Sequence, residues 1–297
     1  MGAIFAKEFK GFFNSALGYV YCAIMIILLS VYFYFNNLAA GTMSGIVVGY
    51  PYVSYAYGSA SQLLMLIMPL ITMRTFSEEM KNKTDQVLFT SPISHIKIVI
   101  GKFLACAAIY AIPMAFAGLL PVIIKIFGQY SALASDYIAL LFLFIYGLVF
   151  IAIGMFISSL TDNIVVSALI SFVVVFIMSF WGTLFGLIPD TQIATVIAVI
   201  ALCLIVCVIL YVITRNYIVP TLLFIIGSIA IIILNFTNYA ALSTFLSSFK
   251  NELDFGTQLR SVMGYFIFDI KSLVLYISTT AIFLVMTVQS LHKRSWN

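Results

Sequence analysis

The chain has 297 residues, of which 64% are hydrophobic and only 8% charged, where an ordinary soluble domain is about a quarter charged. So little polar surface cannot cover a water-soluble fold, and the solvent implied is lipid. A formal charge of +4, dispersed at the ends of apolar runs, excludes a nucleic-acid surface.

Residues 1–14 place Phe5, Phe9, Phe12 and Phe13 near helical spacing, opposite Lys7, Glu8 and Lys10. That pattern predicts a helix lying in the membrane interface. The following run, Gly18 to Phe35, is long enough to span the bilayer and too long for the core of a secretory signal, so it is expected to stay as a helix. Met-Gly-Ala-Ile-Phe-Ala at the start lacks the Ser or Thr of a myristoylation signal. About eight apolar stretches of spanning length follow one another: 18–35, 60–76, 98–124, 137–157, 164–187, 192–213, 218–235 and 271–291. Tyr50, Tyr52, Tyr55 and Tyr57 suit an interface as amphipathic anchors, and residues 239–253 predict a second interfacial helix through Tyr239, Leu242, Leu246, Phe249 and Leu253.

Placing the amino terminus in the cytoplasm puts Lys7, Lys10, Arg74, Lys81, Lys83, Lys97, Lys102, Arg215, Lys293 and Arg294 inside, and leaves Lys125, Lys250, Arg260 and Lys271 outside. Both termini are therefore expected to be cytoplasmic under the positive-inside rule.

Between the second and third spans, Arg74 to Ala105 reads RTFSEEMKNKTDQVLFTSPISHIKIVIGKFLA. Ser77 is expected to cap a helix whose first turn carries Glu78 and Glu79, with Thr90-Ser91-Pro92 ending it. Such a helix, running from Ser77 to about Phe89, offers a surface for a cytosolic motor. Spacing alone also fits a solvated loop whose charges only orient the chain.

On this reading no span carries Asp, Glu, Lys or Arg in its interior. The in-membrane polar groups are neutral (Gln62, Ser167, Ser171), and Asp136, Asp190 and Asp269 lie at outer ends. An ion-coupled carrier normally relays charge through buried carboxylates or broken helices, although carbonyls freed by Pro69, Pro113 or Pro121 could hold sodium. His95 and His292 are the only histidines, Cys203 and Cys207 lack a nearby His or carboxylate, and Ser158-Ser159 with Asp162 reads as a turn with an Asx-type cap. No enzyme site is expected. Gly41, Gly45 and Gly49, and Gly182 and Gly186, have the small-xxx-small spacing of close helix approach, which fits a scaffold subunit as well.

The loop resembles the ABC-2 type permeases, in the gliding-motility and multi-copper-maturation branch. That branch has a stretch like R-x-F-x-E-E-x-x-x-G-T-x-E-x-L-L-T-S-P before a G-K-F-L-A helix. Arg74, Phe76, Glu78, Glu79, Thr84, Leu88, Thr90, Ser91 and Pro92 match, as does Gly101-Lys102-Phe103-Leu104-Ala105. Lys83 stands where the branch has Gly and Gln86 where it has an acid. FAKEFKGFFNSALGYV (5–20), GMFISSLTDNIVVSA (154–168), FDIKSLVLYIS (268–278) and the closing LHKRSW (291–296) are similar too.

The resemblance implies an all-α polytopic membrane protein, an ABC-2 type bundle of about eight helices in a single domain, 1–297. Within it lie an interfacial helix at 1–14, a cytoplasmic coupling loop at 77–92, an extra helix pair at 188–235 and an outer amphipathic segment at 236–268. It further implies the permease subunit of an ATP-driven exporter in a bacterial plasma membrane. Its partners would be a cytosolic ATPase that holds ATP and Mg, a second permease copy or relative, and membrane lipid. Coupling would fall to Arg74, Ser77, Glu78, Glu79, Val87, Leu88 and Phe89. No catalytic, metal or cofactor residue is assigned; Gly101-Lys102 lacks the upstream glycine of a phosphate-binding loop. An ion-coupled secondary transporter and a non-transporting scaffold subunit are the alternatives.

Overall fold

The computed structural model describes residues 2–39, 53–84, 94–127, 133–187, 191–214, 218–237, 239–252, 254–259 and 268–294. Its regular structure is helical, and the chain is an all-α polytopic membrane protein. Six stretches are long and apolar enough to cross a bilayer: Ala16–Ala39, Ala56–Lys81, His95–Ile126, Leu133–Ser158, Pro220–Thr237 and Ile270–Arg294. The other two expected spans contain the shorter apolar helices Ile164–Ser179 and Gln192–Leu204. The chain divides into two compact units, Met1–Ser179 with Phe255–Asn297, and Phe180–Asp254.

In the first unit, helix α1 (Gly2–Asn14) is the expected amphipathic segment. Its rings form a ladder, Phe5 to Phe9 at 5.8 Å and Phe9 to Phe13 at 5.2 Å, that continues to Tyr19 of helix α2 (Ala16–Phe33) at 5.4 Å. Between the two helices Ser15 is extended, and its hydroxyl donates to the Phe12 carbonyl at 2.9 Å. A Cβ on Gly18 would lie 2.7 Å from that same carbonyl oxygen, so the bend needs glycine.

The second span is broken. Helix α3 (Ser54–Leu66) stops because Pro69 has no N–H to return to the Met65 carbonyl; the chain turns through Ile67 and Met68, Met68 N–H bonding Met65 O at 3.1 Å. Two short helices follow, α4 (Pro69–Thr72) and α5 (Ser77–Lys81). Helix α6 (His95–Ala117) runs through Pro113, and α7 (Leu120–Phe127) contains Pro121. Neither the end of α6 nor Pro121 offers an N–H to the Ala117 carbonyl, and the buried Tyr57 hydroxyl donates to it at 2.7 Å. That freed oxygen thus already has a donor.

Helix α8 (Leu133–Ser158) is the axis of this unit, buried on most of its circumference and packed by α3, α6, α9 (Ile164–Ser179) and α14 (Ile270–Arg294). Its glycines admit neighbours at backbone distance. A Cβ at Gly154 would meet Thr72 Oγ1 at 2.1 Å, and one at Gly147 would meet the Tyr110 ring at 2.4 Å. Tyr110 then donates to the Leu143 carbonyl at 2.9 Å, as Tyr276 does to Phe255 O at 2.9 Å, so these buried hydroxyls carry their hydrogen bonds with them.

The second unit holds helices α10 (Trp181–Gly186), α11 (Gln192–Thr214), α12 (Ile218–Thr237) and α13 (Tyr239–Glu252). Val199, Ile231 and Leu242 form its small core. Helix α13 is the expected second amphipathic helix; the Trp181 indole N–H donates to Lys250 O at 3.2 Å, and Tyr239 OH lies 3.2 Å from Thr195 Oγ1. The fifth expected span, 164–187, is two helices, with the break at Phe180. Gly41, Gly45, Gly49, Tyr50 and Tyr52 lie outside the described residues.

Candidate functional site

Lys102, two turns into α6, has 1% of its side chain exposed. The sequence reading placed no ionisable group within a span, and this lysine corrects it. Burying an ammonium strips its hydration, so it must find carboxylates and hydrogen-bond acceptors. Its Nζ lies 3.0 Å from Glu8 Oε1 of α1, 2.9 Å from Glu79 Oε2 of α5 and 2.5 Å from the Thr75 carbonyl, with the Phe76 ring 5.0 Å below it. Lys7 of α1 reaches the other oxygen of Glu79 at 3.3 Å. Glu8 and Glu79 are 17% and 14% exposed.

Glu79 is thus turned into the protein. Glu78, its neighbour, is 45% exposed and stands 3.9 Å from Arg74 Nε. Arg74, Ser77, Glu78 and Glu79, the expected coupling residues that are described, lie on or beside α5 and face different ways: Ser77 and Glu79 inward, Glu78 and Arg74 towards the opening. Val87, Leu88 and Phe89 lie outside the described residues, as does Thr90-Ser91-Pro92.

The expectation that Ser77 caps α5 is corrected. The N-cap position is Phe76, and Ser77 is buried with its hydroxyl donating to the Met73 carbonyl. The capping oxygen comes instead from the far end of α8: Ser158 Oγ accepts the N–H groups of Phe76 and Ser77, each at 3.1 Å, and donates to Met73 O at 3.1 Å. One hydroxyl so satisfies two of the donors that a helix start leaves open.

Helix α5 also ends early, at Lys81 rather than near Phe89. The N–H of Lys83 bonds Met80 O at 3.1 Å and that of Thr84 bonds Glu79 O at 3.0 Å, the paired bonds of a Schellman stop. Such a stop requires a left-handed residue, and Lys83 supplies it with φ 57°. This is the position where the resembling branch carries glycine.

Other contacts collect at the same end of the first unit. Arg294 pairs with Asp162, Ser290 donates to Ser159 O at 3.3 Å, and the His95 and His292 rings stack at 5.6 Å. The Asx-type turn expected of Asp162 belongs to Asn163, whose side chain accepts the Val165 N–H at 2.9 Å. Segments assigned to one side by their basic residues therefore meet at one end. At another point Asp136, fully buried, accepts the Ser54 N–H at 3.0 Å and so holds the start of α3. Between α1 and α5 a cleft of about 520 Å³ opens, rimmed by Lys7, Lys10, Arg74, Glu78 and Asn82 with Lys102 at its base.

Sequence reasoning missed Glu8, Lys102 and Ser158. A usable signal existed for the first two: a lone lysine inside an apolar helix demands a counter-charge, and the acids on its side were few. Ser158 left none, because a cap supplied from 81 residues away has no local pattern.

Six apolar helical stretches of spanning length define a multi-pass membrane protein. The chain belongs to the ABC-2 family transporter proteins, whose family model matches residues 2–196. No curated protein matches it. It is a membrane permease of the ABC type; this family provides the transmembrane component, generally not catalytic, and associates with ABC ATPases.

Proposed function

We propose that this chain is the permease subunit of an ATP-driven exporter of the gliding-motility and multi-copper-maturation branch. It sits in a bacterial plasma membrane with both termini in the cytoplasm. A separate cytosolic ATPase holds ATP and Mg and presses on α5 and the loop through residue 92, while a second permease, identical or related, completes the translocation path. The observation that supports this best is α5 itself, a short helix pinned to the bundle by Ser158 and Lys102 while Glu78 and Arg74 face outward. A helix fixed on one face and charged on the other suits the transfer of force. Lys102 and Asp136 do not favour an ion-coupled carrier, because Lys102 is committed to Glu8 and Glu79, and Asp136 to the backbone at the start of α3, rather than to a relay.

The test is hydrolysis by the complex. Purified alone, the chain hydrolyses no ATP; purified with its cytosolic ATPase, the complex does, and Glu78→Lys lowers hydrolysis or detaches the ATPase without changing membrane insertion. Hydrolysis by the chain alone, or an unchanged complex after the reversal, refutes the reading.

A further inference from the structure

Lys102 has more acid around it than neutralisation needs, and the acids come from different helices. Glu8 belongs to α1 and Glu79 to α5, while the lysine belongs to α6; Lys7 closes the ring from α1 onto Glu79. Hydrogen bonds of 2.9–3.0 Å between largely buried ions do not stretch gradually, because each lengthened bond leaves a desolvated charge without its partner. The cluster therefore moves as a unit or comes apart as a unit. Helix α1 also lies against α6 and turns directly into the first span at Gly18.

We propose that Lys102 is a positioning residue that carries a displacement of α5 to α1, so that nucleotide-driven movement of the loop reaches the interfacial helix and the first span. This rests on α5 being the surface on which the ATPase acts. Glu8 is the α1 side of the joint and Glu79 the α5 side. Neutralising Glu8 cuts the buried link from Lys102 to α1 and leaves Lys102 bound to Glu79 and Thr75; the remaining α1–α5 pair, Lys7 to Glu79, has a 69% exposed lysine and is weakened by solvent.

The experiment uses the full complex with its ATPase, in a background free of the four native cysteines, with an environment-sensitive fluorophore on Lys83→Cys beside α5 or on Lys10→Cys of α1. Both positions are exposed. In the parent, ATP changes the signal at both labels. In Glu8→Gln the signal at Lys83→Cys persists while that at Lys10→Cys falls by about fivefold or more, the lower range of a coupling between sites. Glu8→Asp, which keeps the charge, restores it. A persistent signal at Lys83→Cys shows that fold and ATPase contact survive, which a general packing defect would not spare. ATP responses at both labels in Glu8→Gln, or loss at both together, overturn the proposal. A parent silent at Lys83→Cys instead refutes the coupling role of α5 itself.

Discussion

Removing the hydroxyl of Ser158 tests how α5 is held. In Ser158→Ala the Phe76 and Ser77 N–H groups lose their acceptor, both at 3.1 Å, and Met73 O loses a donor. Ser158, Ser77 and Phe76 are 0%, 0% and 2% exposed, so water does not replace the bonds freely. Each buried donor left open costs about 1–3 kcal/mol; relaxation of a five-residue helix recovers part of that, leaving a loss of about 2–4 kcal/mol. The adjacent Ser159→Ala is the control, because that hydroxyl donates only back to Phe156 O of its own helix. Its removal costs less, about 0.5–1.5 kcal/mol, the net worth of one hydrogen bond whose backbone acceptor keeps the Ser159 N–H. Both variants are compared by unfolding in mixed micelles of mild detergent and SDS, followed by far-UV circular dichroism. Protease access near Lys83 gives the local readout: α5 frays first in Ser158→Ala. A Ser158→Ala protein as stable as Ser159→Ala, with Lys83 equally protected, would refute the cap.

Lys83→Gly stabilises the protein by about 1 kcal/mol in the same titration, because glycine takes the left-handed φ of 57° without the Cβ clash; a loss of stability would contradict the Schellman assignment. Gly154→Ala destabilises by about 1–3 kcal/mol, since its Cβ would overlap Thr72 Oγ1, whereas Gly11→Ala on α1 meets open space and gains up to about 1 kcal/mol of helix propensity. Thermal unfolding of the two variants side by side measures the contrast. For topology, a cysteine at Lys83 reacts with an impermeant thiol reagent only when the cytosolic face is exposed, and one at Glu252 reacts from outside intact cells; the reverse pattern would invert the orientation.

What the sequence made legible follows the reach of its signals. Periodicity revealed α1 and α13, since an aromatic or leucine stripe opposite Lys7, Glu8 and Lys10, or along Tyr239 to Phe249, is written within one helix. Apolar length revealed most of the spans, but 60–76 was read as one span, and neither its break at Pro69 nor the short α4 and α5 that follow was legible. The loop was recognisable from its resemblance, and the departure at Lys83 turned out to mark the one left-handed non-glycine residue among those described. The assignments that failed depend on distant residues. Ser77 looked like a cap because Ser before two acids is the local signature, and only the approach of Ser158 across the fold decides otherwise. Glu78 and Glu79 looked equivalent in sequence, yet a five-residue helix turns adjacent side chains about 100° apart, sending Glu79 to Lys102 and Glu78 to the opening. A double reversal of both acids would therefore break an internal ion cluster along with any docking surface, and the single change at Glu78 is the cleaner probe.

Glu78 is also the position from which contact between α5 and an ATPase is read in the membrane. A photo-crosslinking amino acid placed at Glu78 in the native membrane, with the same probe at Glu252 for comparison, reports what touches α5 in the cell. An adduct between this chain and a cytosolic ATP-binding subunit is expected from position 78 and none from position 252. Adducts from position 78 with lipid alone, or no protein adduct while the chain is inserted and abundant, would contradict the role of α5 as the contact with an ATPase.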